Sequence, residues 1–369
     1  MRFRRIDYLG WAKRTHDVAP VRYDLSISAV RHVPPGLLGP LDDVPLTGNN
    51  AYGHPGVRAS LAARYGVPGE RVLCSVAGTS AANFMCAAAL VQPGDAVLVE
   101  WPCYEPIWRI FEALGARIEW LDRPPERRCA LDLARIEQAL IRGARVVAIS
   151  NPMNPTGLLA PRADVLEAGR LAARHGAHVI VDEIYLDAFE GPEAVSAARG
   201  TDGAPAPGIV VTASLTKAYG LGPQRIGWVL GPPKVIDAAM DAIVASVGVL
   251  PIAWMHRSAL ALSHVGALSA RSRSLLGKKR ERVARWMREQ ENLAWSAPSA
   301  GLFGFATLRR SAADLRPVIE RGIEAHGVIV APGSFFGVPN GFRLAWSLPE
   351  EQLDEALLRL GNVLATATS

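Results

Sequence analysis

Val146-Val-Ala-Ile-Ser150, Asn151-Pro-Met-Asn-Pro-Thr-Gly157, the stretch Arg162 to His175 and Val179-Ile-Val-Asp182 follow one another along the chain. The first and last runs are almost wholly apolar and β-branched, which predicts strands buried on both faces. The stretch between them is long enough for a helix and mixes charged with apolar residues. A buried strand, a helix and a second buried strand make a parallel crossover unit, because parallel neighbours need such a connection.

The same texture extends in both directions. Ala96-Val-Leu-Val-Glu100, Ile209-Val-Val-Thr-Ala-Ser214 and Arg225-Ile-Gly-Trp-Val-Leu230 predict further strands. Val57 to Tyr65, Ser80 to Leu90, Tyr104 to Leu114 and Asp132 to Ile141 predict helices between them. The expected class is α/β, a mostly parallel central sheet with helices on both faces. After residue 256 the texture changes. Arg271 to Gln290 predicts a long, mostly exposed helix, and Leu302 to Leu308, Val328 to Ala331 and Gly341 to Trp346 predict shorter strands. Pro20, Pro34, Pro35, Pro40 and Pro45 predict an extended N-terminal arm. Residues 46–270 are therefore expected to form a large domain. Residues 1–45 and 271–369 are expected to form the arm plus a smaller α+β domain.

Composition narrows the function. The chain has 369 residues, 49% of them hydrophobic and 20% charged, so intrinsic disorder and disulfide-stapled miniature folds are excluded. Forty Lys and Arg against 35 Asp and Glu leave a net charge of +5. That charge is spread thinly, and Lys278-Lys279-Arg280-Glu281-Arg282 falls on the long charged helix, so no nucleic-acid partner is expected. Cys74, Cys86, Cys103 and Cys129 show no CxxC spacing, which predicts free thiols in a reducing compartment and no metal site. Met1-Arg-Phe-Arg-Arg is followed by no apolar run, and Ala242 to Met255 is too short to span a bilayer. The expectation is a cytoplasmic protein without a membrane partner.

Polar residues gather just beyond the C-terminal ends of the strand runs, where open α/β sheets bind ligands. Asn151, Asn154, Asp182, Tyr185, Ser214 and Lys217 all stand there. Several βα connections therefore contribute to one expected site.

Asn151-Pro-Met-Asn-Pro-Thr-Gly157, Asp182-Glu-Ile-Tyr185, Ser214-Leu-Thr-Lys217 and Arg225 occur in that order. Tyr52-Gly-His-Pro-Gly56 precedes them, and Pro332-Gly-Ser-Phe-Phe-Gly337 and Arg343 follow. Together these resemble the class I/II aminotransferases, the aspartate aminotransferase-like branch of the fold-type I pyridoxal 5'-phosphate (PLP) enzymes. The resemblance covers residues 48 to 348.

The resemblance implies a PLP cofactor and assigns each motif a task. PLP chemistry needs a lysine to form a Schiff base and to move protons at the substrate Cα. Read alone, Lys217 is a solvated surface lysine; with Ser214 before it and Arg225 after it, it matches the family's Schiff-base residue. Asp182, which alone would read as a helix N-cap, matches the carboxylate that keeps the pyridine nitrogen protonated. Tyr185 and Asn154 match the two groups bonded to the cofactor's phenolic oxygen, although Asn154-Pro155-Thr-Gly157 is also turn chemistry. Gly78 and Thr79, at the start of a small-residue helix, match phosphate ligands together with Ser214 and the forked donor Arg225. Tyr104 matches the aromatic residue stacked on the cofactor ring. Tyr52 matches a tyrosine that reaches the neighbouring subunit's phosphate, which implies a homodimer with a shared active site.

Arg343 matches the arginine that clamps the substrate's α-carboxylate, with Asn154 beside it. The substrates implied are an amino acid and a 2-oxo acid, exchanged in two half-reactions. One departure stands out. Asp24-Leu-Ser-Ile-Ser28 lacks the glycine that the family usually carries over the substrate pocket. No second arginine marks a dicarboxylate substrate, and Trp11 and Trp101 suggest a neutral or apolar amino acid. A lyase, decarboxylase or cyclase on the same scaffold is the alternative, since fold does not fix function. A PLP-sensing transcription regulator is the less favoured one, because no helix-turn-helix pattern precedes the core.

Overall fold

A computed structural model describes residues 3–34, 36–38, 53–248 and 250–366; Tyr52 lies outside them. The N-terminal strand β1 (Tyr23–Asp24) belongs to the smaller half of the chain. Seven strands build the large sheet: β2 (Val72–Val76), β3 (Ala96–Trp101), β4 (Arg117–Asp122), β5 (Ala144–Ser150), β6 (His178–Asp182), β7 (Ile209–Ser214) and β8 (Gly227–Leu230). Their spatial order is β2-β8-β7-β6-β5-β3-β4, and β8 alone pairs antiparallel with both its neighbours.

The alternation of a β-strand sorts each run between the two faces. Val97, Val99, Val146, Ala148, Ile180 and Val210 enter one apolar cluster with the helices Thr79–Leu90, Glu105–Ala113 and Pro233–Ser246. Leu98, Val147, Ile149, Val179, Val181 and Val211 enter the other, with Leu133–Ile141 and Arg162–Arg174. Both faces are covered, so the central strands read as unbroken apolar runs. Each fully buried Val or Ile there contributes roughly 1.5–3 kcal/mol. Chain order reverses between β3 and β5: β3 leads outward to β4, whereas β5 leads to β6 and β7 on the other side. That reversal opens a crevice beyond the strands' C-terminal ends.

The smaller half carries a four-stranded antiparallel sheet of β9 (Leu293–Trp295), β10 (Phe303–Leu308), β12 (Ala331–Pro332) and β13 (Gly341–Ala345). β11 (Val328–Ile329) pairs parallel with β1. Arg343 stands opposite Phe305 in the β10–β13 register. The expected charged helix forms as Val265–Arg288, but it is not mostly exposed. Leu268, Leu276, Val283 and Met287 make a buried stripe at helical spacing.

Two further expectations are corrected. The N-terminal segment is not simply an extended arm, because Asp7–Val18 is a helix. All the prolines that suggested extension lie after it, and Tyr8, Trp11 and Thr15 form its buried face. Arg225 does not begin a strand; it sits two residues before β8 with φ of 51°, at the end of a short turn. The strand β4 escapes sequence reading, since as an edge strand it keeps Arg117, Glu119 and Asp122 among its apolar residues.

Candidate active site

The C-terminal ends of β6 and β7 and the start of the helix Thr79–Leu90 converge. Asp182 ends β6, buried at 7% exposure. Its Oδ2 accepts from Asn83 Nδ2 at 2.9 Å and its Oδ1 from the Ile184 amide at 3.1 Å. Asn83 is itself oriented by Thr212, whose hydroxyl donates to Asn83 Oδ1 at 2.5 Å. Burial pushes the Asp182 carboxyl up to about 6, while these hydrogen bonds favour the ionised form. Sequence reading missed Asn83, whose signal was only its place one turn into the helix.

Ser214 ends β7. It accepts from Thr79 Oγ1 at 2.8 Å and pairs with Thr216 Oγ1 at 2.8 Å. Gly78 precedes the helix with φ of 82°, a left-handed conformation open to glycine. A Cβ there would meet Arg225 Nη2 at 2.6 Å. Arg225 Nη2 donates to the Ala77 carbonyl at 3.2 Å, which sets the guanidinium beside the helix N-terminus. The N-terminus of the helix, the hydroxyls of Thr79, Ser214 and Thr216 and the Arg225 guanidinium thus stand together, the donor set of an anion site.

Lys217, partly buried, follows three residues after Ser214. Burial, then the charges of Arg343 and Arg225, lower its amine to about 8, against the opposing pull of Asp182. Tyr185 shares a 3.0 Å hydrogen bond with Ser28 Oγ and meets the Phe303 ring edge-on at 4.8 Å. Burial pushes its phenol up to about 12. Tyr104 stands at the N-cap of Glu105–Ala113, and burial raises its phenol well above the usual range.

Arg343, on β13, is 1% exposed. Its Nη1 donates to Asn154 Oδ1 at 2.8 Å; its Nη2 donates to Tyr8 Oη at 2.7 Å and to the Ser26 carbonyl at 3.0 Å. The rings of Tyr8, Phe303 and Phe336 lie 5.1–5.5 Å from the guanidinium carbon. Among the described residues no carboxylate pairs with it, and its buried Nε has no partner. A buried cation held only by neutral oxygens and aromatic faces is arranged to receive an anion from outside.

Asn154 is fixed from below by a buried ion pair that sequence reading missed. Glu100, at the end of β3, binds Arg123, the Ser150 hydroxyl and the Ser150 amide, the last at 2.8 Å. Arg123 also donates to the Ser150 and Cys129 carbonyls, each at 3.0 Å. Ser150 Oγ in turn accepts the Asn154 amide at 3.0 Å. The structure thus gathers Gly78, Thr79, Asn154, Asp182, Tyr185, Ser214, Lys217, Arg225 and Arg343 around the sheet's C-terminal edge. The rings around Arg343 are those of Tyr8, Phe303 and Phe336, and the contacts of Trp11 and Trp101 are made elsewhere. Trp11 packs on Phe335 and donates to Glu320, and Trp101 packs on Trp120.

Residues 47–360 match the family model described as aminotransferase class I and II. The chain belongs to the class I and II aminotransferase family. This aminotransferase is 28% identical to a capreomycidine synthase of Streptomyces vinaceus over 93% of its own length and 88% of the relative's. It is also 28% identical to an aspartate aminotransferase of Streptomyces avermitilis, over 86% and 81% of the two chains. A PLP-dependent aminotransferase structure from Streptococcus suis superposes with a TM-score of 0.86 at 22% identity, over 99% of both chains, a likeness of fold.

PLP is the cofactor of this family, and the residues present fit it. The space beside Gly78, which a Cβ would fill, offers phosphate donors. The buried Asp182 carboxylate suits a protonated ring nitrogen, and Lys217 supplies an amine of lowered basicity. Among the described residues, no helix is long and apolar enough to cross a membrane.

Proposed function

We propose that this enzyme moves an amino group between an amino acid with a neutral or apolar side chain and a 2-oxo acid. The observation that carries the reading is the set of side chains gathered at the ends of β6 and β7: the buried Asp182 carboxylate held by Asn83, the Ser214 and Thr79 hydroxyls, and the buried Arg343, which no carboxylate among the described residues pairs with.

PLP, when bound, supplies an electron sink for the bond broken at the substrate's Cα. The chain's residues do the rest. Gly78 and Thr79 at the helix start, Ser214 and Arg225 would hold the phosphate. Asp182, oriented by Asn83, would keep the ring nitrogen protonated by ion pairing. Tyr185 and Asn154 would bind the phenolic oxygen, and Tyr104 would supply an aromatic face to the ring. Arg343 takes the α-carboxylate and so fixes which bond at Cα stands ready to break. Lys217 Nζ then moves a proton at Cα, and its lowered basicity keeps a share of the amine neutral near pH 8. Tyr8, Phe303 and Phe336 around Arg343 carry no net charge, which supports a neutral substrate side chain.

The expected assembly is a cytoplasmic homodimer in which Tyr52 of each chain reaches the other's phosphate site. The expected domains are residues 46–270, and the N-terminal segment to residue 45 together with 271–369. The likeness to a capreomycidine synthase favours one second reading, a cyclase or lyase chemistry on the same residues. Product analysis separates the two: transamination needs a 2-oxo acid acceptor, and elimination releases ammonia without one. Lys217→Ala should abolish turnover in a protein that still folds; amino transfer by that variant would overturn the proposal.

A further inference from the structure

Tyr8 belongs to none of the motifs, yet it lies against Arg343. Its hydroxyl oxygen accepts from Arg343 Nη2 at 2.7 Å, and among the described residues that hydroxyl has no other hydrogen-bond partner. An oxygen that accepts from a guanidinium keeps its own O–H proton for another acceptor. Arg343 has five N–H donors, of which three are engaged; the two left free are on Nε and Nη1 of the same guanidinium that Tyr8 meets through Nη2.

The placement of Tyr8 is built from both halves of the chain. Its amide donates to Glu105 Oε2 at 3.0 Å, so the carboxylate of a neighbouring helix serves the N-terminus of Asp7–Val18, whose own N-cap Ile6 supplies no side-chain bond. Its ring packs on Tyr104, Phe335 and Phe336, with centroids 5.9, 5.6 and 5.7 Å away. One turn on, Trp11 Nε1 donates to Glu320 at 2.9 Å. The helix therefore bridges the start of Glu105–Ala113 and the helix Arg316–His326 of the smaller half, with Tyr8 against the Phe335-Phe336 turn.

We propose that Tyr8 is a second donor to the substrate carboxylate, delivered by the N-terminal helix, and that docking of this helix completes the carboxylate site. The inference rests on the assignment of Arg343 as the carboxylate clamp. A carboxylate that accepts from the free Nε–H of Arg343 would stand on the guanidinium that Tyr8 already meets, and would take the Tyr8 O–H as its second donor. Every amino acid and 2-oxo acid substrate shares this carboxylate, so the contribution of Tyr8 is independent of the side chain.

Tyr8→Phe keeps the ring and removes the hydroxyl. Steady-state kinetics with the PLP-loaded enzyme should show KM rising by about 10- to 100-fold for donor and acceptor alike, the loss expected for a hydrogen bond to a charged group. The factor should be the same for leucine, phenylalanine and alanine, with kcat within about threefold, and the melting temperature should fall by no more than a few degrees, the cost of leaving one Arg343 N–H without its acceptor. Calorimetric titration with 4-methylpentanoate, a carboxylate lacking the amine, should show the same weakening. Unchanged KM and unchanged 4-methylpentanoate affinity would overturn the proposal, as would a KM effect that varies with the side chain, which marks a pocket wall instead. A wild-type enzyme that binds 4-methylpentanoate but transfers no amino group would overturn the transaminase reading, and the calorimetric comparison would still decide the role of Tyr8.

Discussion

The guanidinium of Arg343 donates to the Asn154 amide oxygen at 2.8 Å in a site where Arg343 is 1% exposed. Asn154 orients the cation without neutralising it, and that distinction is open to experiment. Asn154→Asp places a permanent carboxylate against Arg343, in competition with the substrate's own. KM for both substrates should rise by more than about 100-fold, the scale of a charge-assisted hydrogen bond lost to a competitor. Asn154→Ala should cost less on that side, since it leaves the cation free. Initial-rate kinetics of the two variants rank them, and an Asp variant with the lower KM would contradict the assignment.

Lys217 links the site to pH. Burial and the charges of Arg343 and Arg225 disfavour its protonated form and lower it to about 8. Only the neutral amine captures the cofactor's aldehyde, so the rate of capture by cofactor-free enzyme should rise as pH passes through about 8. Arg343→Gln removes a positive neighbour, which lets the lysine hold its proton more firmly and should move that midpoint upward. Stopped-flow absorbance across pH 6 to 10 reads both midpoints, and a downward shift would contradict the electrostatic account.

Gly78 and Arg225 test the phosphate cradle. Gly78→Ala asks a Cβ to adopt φ of 82° and to stand 2.6 Å from Arg225 Nη2. That φ together with ψ of 177° is a backbone conformation essentially confined to glycine and costs alanine about 1–3 kcal/mol, and the guanidinium must move aside. PLP affinity, measured by fluorescence titration, should fall at least tenfold. The melting temperature of the cofactor-free protein should drop by only a few degrees.

The Glu100–Arg123 pair, fully buried, is expected to govern stability. Arg123→Met strands a carboxylate in the core and should destabilise the protein by roughly 3–5 kcal/mol, whereas the double variant Glu100→Gln, Arg123→Met should recover much of that loss. Thermal unfolding of the single and double variants measures the difference.

What the sequence discloses, and what it hides, follows from the range of the contacts. Asp182, Ser214 and Lys217 are legible because each ends or follows an apolar strand run, and a polar side chain there faces the crevice beyond the sheet edge. Gly78 and Thr79 are legible as a helix start. Asn83 is hidden, since nothing local distinguishes it from a solvated helix residue until β6 and β7 bring Asp182 and Thr212 beside it. Tyr8 is hidden for the same reason, as 335 positions separate it from Arg343. Glu100 reads as an ordinary charge near a strand end and Arg123 as a charge in no predicted element; only the packing of β3 between β4 and β5 buries them together. The strand β4 is obscured by its exposure, because an edge strand need not be apolar throughout.

The central claim is that Lys217 and its neighbours carry out amino transfer, and a single half-reaction tests it most directly. PLP-loaded enzyme is mixed with one amino acid in the absence of any 2-oxo acid, and the products are counted. One equivalent of 2-oxo acid per active site, with the cofactor left in its amine form and no ammonia, is the result expected. Continued release of ammonia or of a cyclised product beyond one equivalent would contradict it and assign the site to lyase or cyclase chemistry.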